Sequence, residues 1–299
     1  MRKHRIIIYS LLSFVLALGM VACTATDESE NSQLAYLSPG QNGYWQVWVM
    51  DTATGKSSQV SKSAYDKATL SWYPDGKRLL INGGQGELVV LSLTDGQETS
   101  VPIPSGLVGF NDAILSPDGK KIAFSLSLAE SRGNNDIWIM ASDGTEPRKL
   151  TNMSWYQGQP SWSSDSQTLY FTSGRFNQVH DIWALNLKTG DQQQITQSHR
   201  YNFDISDLSG RLLFSSNRDG NYDIWLQNPK GKTEKLTKHE ASDSNPNWSP
   251  DGKEIVFEST RDGRPQLYIL DLTSREVQQM TKKPQGARQP KWFKRQGKE

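Results

Sequence analysis

Four phrases of this chain recur at a nearly constant interval, and that interval restricts the folds open to it more than any other feature. Ser71-Trp72-Tyr73-Pro74-Asp75-Gly76-Lys77, Ile114-Leu115-Ser116-Pro117-Asp118-Gly119-Lys120, Ser161-Trp162-Ser163-Ser164-Asp165-Ser166 and Asn247-Trp248-Ser249-Pro250-Asp251-Gly252-Lys253 each lead from one apolar segment into another through a Pro-Asp-Gly-type turn. A degenerate copy, Ser206-Asp207-Leu208-Ser209-Gly210, lies between the last two. Successive copies are 43, 47, 44 and 42 residues apart. A period of about 40–50 residues of strand-type sequence is that of a β-propeller, in which each repeat is one four-stranded blade. Helical solenoids need apolar residues at helical intervals, whereas these segments alternate or run apolar only briefly between Gly, Asp, Asn and Pro.

A second phrase marks third strands: Asp136-Ile137-Trp138, Asp181-Ile182-Trp183 and Asp223-Ile224-Trp225, with looser copies at Gln46-Val47-Trp48, Glu87-Leu88-Val89 and Gln266-Leu267-Tyr268. Each is followed by a turn and a short polar strand, which in four repeats ends at Leu150-Thr151, Ile195-Thr196, Leu236-Thr237 or Met280-Thr281. The first repeat opens at Leu34-Ala35-Tyr36-Leu37-Ser38, which aligns with second strands and so lacks a first one. Gln289-Pro290-Lys291-Trp292-Phe293 matches the first strands and has no repeat after it. The sequence therefore predicts an all-β, six-bladed β-propeller over residues 34–293, closed by pairing of the C-terminal strand with the N-terminal blade, which removes exposed ladder edges.

The tryptophans fit that register. Trp72, Trp162, Trp248 and Trp292 fall on first strands and Trp48, Trp138, Trp183 and Trp225 on third strands, where packing between blades accounts for them. Trp45 and Trp155 fall outside both registers and stand as candidates for ligand contact.

Residues 1–22 belong to a different pattern. Arg2, Lys3 and Arg5 precede an apolar run from Ile6 to Ala22, which reads as a secretory signal. The only cysteine ends that run in Met20-Val21-Ala22-Cys23, which resembles the lipobox of bacterial lipoproteins, with Met20 in place of the usual Leu. The resemblance implies cleavage before Cys23 and lipidation of it, and Thr24 after it implies sorting to the outer membrane, facing the periplasm. An ordinary cleaved signal, or an uncleaved anchor helix at the lower limit of bilayer-spanning length, remains open. Residues 23–33 then form the lipidated Cys and a polar tether, and residues 294–299 a basic tail. Loss of Arg2, Lys3 and Arg5 leaves 30 basic against 32 acidic residues, a balance that argues against nucleic acid as a partner. The cluster Lys282, Lys283, Arg288, Lys291, Lys294, Arg295 and Lys298 is the exception, and reads as a solvated chain end or as an attraction to anionic lipid or polymer.

Together the Trp-Ser-Pro-Asp-Gly-Lys phrase, the Asn217-Arg218-Asp219-Gly220 and Thr260-Arg261-Asp262-Gly263 turns, the Asp-Ile-Trp strands and the Leu-Thr repeat ends resemble the propeller repeats of the TolB family. TolB is a periplasmic component of the Tol-Pal envelope system, so the resemblance implies a non-catalytic propeller that binds an envelope protein. The same repeats occur in peptidase propellers and a pectin-fragment lyase, so they specify fold more than function. The α/β domain that precedes the TolB propeller has no counterpart here, since blade sequence begins at Leu34.

In such a blade the first-to-second and third-to-fourth turns share one face, trimmed here by tight Asp-Gly turns. The longer connections share the other, which we call the funnel face. Candidate partner-binding residues on it are Tyr65, Lys67, Phe110, Trp155, Tyr156, His199, Tyr201, His239, Glu240 and Arg288, because converging aromatic, Arg and His side chains carry binding energy. Arg132, Arg175, Arg218 and Arg261 occupy equivalent connections and form either an anion-binding arc or pairs with local carboxylates. No nucleophile elbow or zinc-binding His pair is present, and no cofactor is expected. His239-Glu240 with Asp243, and the Asn217-Asp219-Asn221-Asp223 run, are the weak metal candidates. The alternative function is a carbohydrate-binding or metal-dependent polysaccharide-lyase propeller, suggested by Trp45, Trp155, Tyr156 and Tyr201.

Overall fold

The computed structural model describes residues 33–107, 109, 111–126, 135–176, 179–198 and 200–294, and in it each Pro-Asp-Gly phrase turns for reasons local to the phrase. The Asp side chain accepts the amide two residues on, as from Lys77 to Asp75 at 2.8 Å and from Lys253 to Asp251 at 3.1 Å. Gly119 sits at φ 73° with Pro74 Cδ 2.8 Å from where a Cβ would be, so both its backbone and the neighbouring turn require glycine. Where Ser166 replaces the glycine, it too takes positive φ, and its hydroxyl accepts the Asp118 amide of the preceding repeat at 3.1 Å.

Among the described residues, 24 strands form six antiparallel four-stranded sheets. Blade 1 combines β1 (Gln33–Pro39), β2 (Trp45–Asp51) and β3 (Ser57–Gln59) with the last strand, β24 (Arg288–Trp292). The first strands of blades 2 to 6 are β4 (Lys67–Trp72), β8 (Asn111–Leu115), β12 (Gln157–Trp162), β16 (Asn202–Leu208) and β20 (Asp243–Trp248). Leu34 pairs with Trp292 and Ala35 with Lys291, and the Phe293 amide donates to Gln33 O at 2.9 Å, which is the closure the repeat count predicts.

Two recurrent phrases prove to be one device. In blade 4 the Thr196 hydroxyl accepts the Ile182 amide at 2.9 Å and donates to Asp181 at 2.8 Å, so the Asp-Ile-Trp strand is clasped by the Thr at the repeat end. Thr151 with Asp136, Thr281 with Gln266 and Ser61 with Gln46 repeat the arrangement. The six buried apolar clusters each join two neighbouring blades, for example Ala123, Ile137 and Ile139 with Trp162, Leu169, Phe171 and Leu185. A blade therefore buries its faces only against its neighbours.

Cys23 and the apolar run before it, Phe110, Arg132, His199 and the residues after Lys294 lie outside the described set. Among the described residues no helix is long and apolar enough to cross a membrane.

Candidate functional site

The first strands surround the axis, and each carries a bulge partway along. Asp112, Gln159, Asp204, Asn245 and Gln289 occupy equivalent bulge positions and all have positive φ, between 49° and 56°. With Thr69 they form a polar ring around a cavity of about 100 Å³. Carboxylates bridge this ring from blade to blade. Asp112 accepts the Gln159 amide at 3.4 Å, Asp204 the Asn245 amide at 3.1 Å, and Glu258, from β21 (Glu254–Ser259), the Gln289 amide at 2.6 Å.

Burial dominates the electrostatics here. It pushes the Asp112 and Asp204 carboxyls above the ordinary carboxylate range and Glu258 up to about 7. Lys291 is pushed down by the same burial, although Asp204 and Glu258 face it. Attraction would shift acid and base towards their charged forms, so the opposite directions show desolvation outweighing it.

The rim on the funnel face is aromatic. Tyr156 precedes β12, Tyr201 precedes β16 and His180 lies in β14 (Val179–Asn186), so all three project from the same side of blades 4 and 5. Tyr156 stacks on His180 with centroids 5.3 Å apart and planes at 17°, and Tyr201 meets His180 edge-on at 5.4 Å. A side chain at Gly174 would bring its Cβ to 2.8 Å from His180 Cδ2, so glycine there makes room for the stack. Trp155 beside them is 54% exposed. Burial and the nearby Asp112 push Tyr156 up to about 12, which places the arc beside the acidic cavity. Phe203 and Tyr222 extend it, their rings 4.9 Å apart. Across the mouth, the Arg288 guanidinium lies 3.8 Å from the centre of the Trp45 ring.

The other predicted residues divide. Lys67 is fully buried, bonded to the Tyr65 carbonyl at 3.1 Å and 3.7 Å from Glu98, while the Tyr65 hydroxyl donates to Glu98 at 2.6 Å. That trio ties blade 2 together. His239 and Glu240 sit on an exposed loop, where His239 Nδ1 accepts the Ala241 amide at 3.0 Å. Asp243 does not join them, because it is fully buried and held by Arg261 Nη2 at 3.1 Å from each oxygen. Arg218 likewise bonds Asn202 of its own blade at 3.1 Å, so these two arginines serve their own blades. The Asx run is a hairpin whose polar groups are already engaged: Asn217 takes the Tyr201 amide, Asn221 donates to His239 O, and Asp219 and Asp223 share Lys235 at 3.4 and 2.7 Å. Among the described residues no group of three His, Cys, Asp or Glu side chains is placed to hold a metal.

Of the basic cluster, Lys282 is exposed and Arg295 and Lys298 lie outside the described residues, but the other four members are not a solvated end. Lys283 lies 3.3 Å over the Trp48 ring, Arg288 stacks on Trp45, and Lys291 and Lys294 line the channel. Sequence reading missed this because charge runs near a terminus are ordinarily wet. The alignment of Lys291 with Ser161 and Asn247 was the available signal. It missed His180 because a lone His starting a strand carries no pattern.

A closed six-bladed ring around an aromatic-rimmed axial channel defines a β-propeller. Residues 205–298 match the TolB beta propeller domain. The uncharacterized protein Atu1656 of Agrobacterium fabrum is 33% identical over 229 residues, covering 74% of this chain and 75% of that protein. The chain belongs to the TolB-type β-propeller family. The uncharacterized peptidase YuxL of Bacillus subtilis is 28% identical over 53% of this chain but only 23% of its own length. A TolB homolog of Chlorobium luteolum is 29% identical over 52% of this chain and 35% of its own length. The chain thus spans well under half of these last two. TolB from Acinetobacter baumannii superposes with a TM-score of 0.75 at 22% identity, over 88% of this chain and 67% of that one, which establishes shared fold.

Proposed function

We propose that this chain is a non-catalytic envelope propeller that binds a protein partner through the aromatic arc on its funnel face. In this reading it is held at the periplasmic side of the outer membrane by lipid on Cys23. The observation that carries the reading is the Tyr156, His180 and Tyr201 cluster beside exposed Trp155. Large, rigid aromatics with polar tips at the mouth of a concavity are where interfaces concentrate binding energy. The resemblance to a Tol-Pal component favours a protein as the occupant. A non-catalytic role is supported by the use of the channel carboxylates, which bridge blades through backbone amides. The anchor rests on the signal and lipobox pattern ending at Cys23.

The test is capture from solubilised envelope by the wild-type protein, a Trp155→Ala/Tyr201→Ala double variant and a Lys253→Ala control on the opposite face. One identified envelope protein should be retained by wild type and control and lost roughly ten-fold or more by the double variant. Equal retention by all three overturns the reading. Retention of an acidic glycan with no protein overturns it in favour of a carbohydrate-binding propeller, which the exposed Trp155 also accommodates. Cys23→Ala should move the protein to the soluble fraction without changing capture.

A further inference from the structure

The channel continues past the polar ring. One residue before each first-strand Trp position lie Ser71, Ile114, Ser161, Ser206, Asn247 and Lys291, the waist of the ring. Four of them tie neighbouring strands. Ser71 Oγ accepts the Leu115 amide at 2.9 Å, Ser161 Oγ donates to Ile205 O at 2.8 Å, and Asn247 bonds Ser206 Oγ at 3.3 Å and the Trp292 amide at 2.8 Å. Lys291 is different. It lines the cavities on both sides of the waist, and its ammonium makes no hydrogen bond or ion pair among the described residues.

On the side of the Pro-Asp-Gly turns lies a larger cavity of about 170 Å³, walled by Trp72, Tyr73, Trp162, Ile205 and Trp292. Lys294 reaches across it from the end of β24, its Nζ 3.3 Å from the Asp207 carbonyl of blade 5. The Asp207 carboxylate is engaged elsewhere: one oxygen accepts the Ser164 amide and hydroxyl at 2.8 and 2.9 Å, the other the Gly210 amide at 2.9 Å. Two partly buried ammonium groups therefore share a space walled by aromatic and polar side chains; Asp204 and Glu258 face Lys291 and Asp207 faces Lys294, yet among the described residues none of these carboxylates bonds either ammonium. Burial pushes Lys294 down to about 8, opposed by Asp207 and reinforced by Lys291 and Arg211. An anion placed between them would relieve both burial and mutual repulsion.

We infer that this cavity binds a small organic anion, a monocarboxylate carrying one ring or a short apolar chain, with its head between Lys291 and Lys294 and its body against Trp72, Trp162 and Trp292. An apolar cavity of about 150 Å³ accommodates benzene, so a single ring with a carboxylate suits the space. The site lies on the face opposite the aromatic arc and stands whether or not that arc binds a protein.

The experiment is isothermal titration of the mature protein with phenylacetate at pH 7, beside benzyl alcohol, which lacks the charge, and acetate, which lacks the ring. Phenylacetate should bind saturably, and both controls roughly ten-fold or more weakly. Lys294→Met should lose a similar factor while Lys294→Arg retains binding, with thermal midpoints confirming both folds. Affinity should fall as pH rises from 7 to 9.5, because the ammonium of Lys294 titrates near 8. The Trp155→Ala/Tyr201→Ala variant should bind phenylacetate as wild type does. Absence of saturable binding, equal binding of acetate, or undiminished binding by folded Lys294→Met overturns the inference. If Lys294→Met does not fold, an affinity that stays flat between pH 7 and 9.5 overturns it.

Discussion

At Glu258 the fold removes a carboxyl group from water while its Oε1 accepts the Gln289 amide at 2.6 Å. Burial wins over that bond and over Arg288 and Lys291, and the group titrates near 7 instead of near 4.5. Between those two values the native state holds a proton that the unfolded chain has released. Stability from this group is therefore complete below about pH 4.5 and lost as pH rises through 7. Asp112 and Asp204, also pushed up by burial, add to the same slope. Burial pushes the His180 imidazole down, which opposes this slope below about pH 6.5, so the Glu258 contribution is read as the difference between wild type and a variant. Glu258→Gln keeps an acceptor for the Gln289 amide and abolishes the titration, so its midpoint should depend less on pH and exceed that of the wild type at pH 8 by roughly 3 °C or more. Identical midpoint profiles for the two proteins would contradict the assignment.

At the scale of the element, five of the six blades carry a clasp between the third strand and the repeat end, and blade 2 has Pro102 where the others have Ser or Thr. In blade 4 one hydroxyl, Thr196 Oγ1, satisfies both the Ile182 amide and the buried Asp181. Thr196→Val preserves shape but strands the buried Ile182 amide, while Asp181 keeps Asn202 and Gln194 as donors, so the loss is that of one unsatisfied group, about 1–3 kcal/mol. Its thermal midpoint should drop by several degrees, and Thr196→Ser, which restores the hydroxyl, should recover most of it. A Val variant as stable as wild type would show that the clasp contributes nothing. The other clasps rest on the same geometry, including those built from Gln266 with Thr281 and Gln46 with Ser61. The phrase tolerates Gln for Asp because the hydroxyl needs only an oxygen acceptor on the strand.

The whole molecule is a ring whose six clusters lie between blades, so its stability depends on closure. Strand β24 supplies Trp292, 6% exposed, and the backbone carbonyl of Lys291 that accepts Trp72 Nε1 from blade 2 at 2.8 Å. Phe293 packs on Trp72 with ring centroids 5.2 Å apart. Truncation before Arg288 removes these contacts and exposes the edge of β1, so the thermal midpoint should fall by more than that of any single substitution discussed above. Trp292→Ala, a large-to-small change in the core, should cost about 3–5 kcal/mol, read by denaturant unfolding. An unchanged midpoint in the truncated chain would disprove velcro-like closure through β24 and with it the assignment of Trp292 to the core.

The repeat period, the turn residues and the alternation of apolar positions were enough to read six blades, 24 strands and the pairing of the two ends, because each depends on chemistry within a few residues. Turn chemistry needs an Asp, a Gly and their neighbours, and blade pairing follows from side chains that alternate faces. The funnel candidates were legible only as positions on a face. Trp155, Tyr156 and Tyr201 reach the rim, whereas Lys67 is consumed inside its blade by Glu98 and Tyr65. The polar ring, the His180 stack and the paired lysines of the channel were decided by tertiary structure alone. Residues more than 40 positions apart, such as Asp112 and Gln159 or Asp207 and Lys294, meet there only because six first strands converge on one axis. Burial at that axis then sets which of them keep their charge, and burial is a property of the closed ring rather than of any segment of the chain.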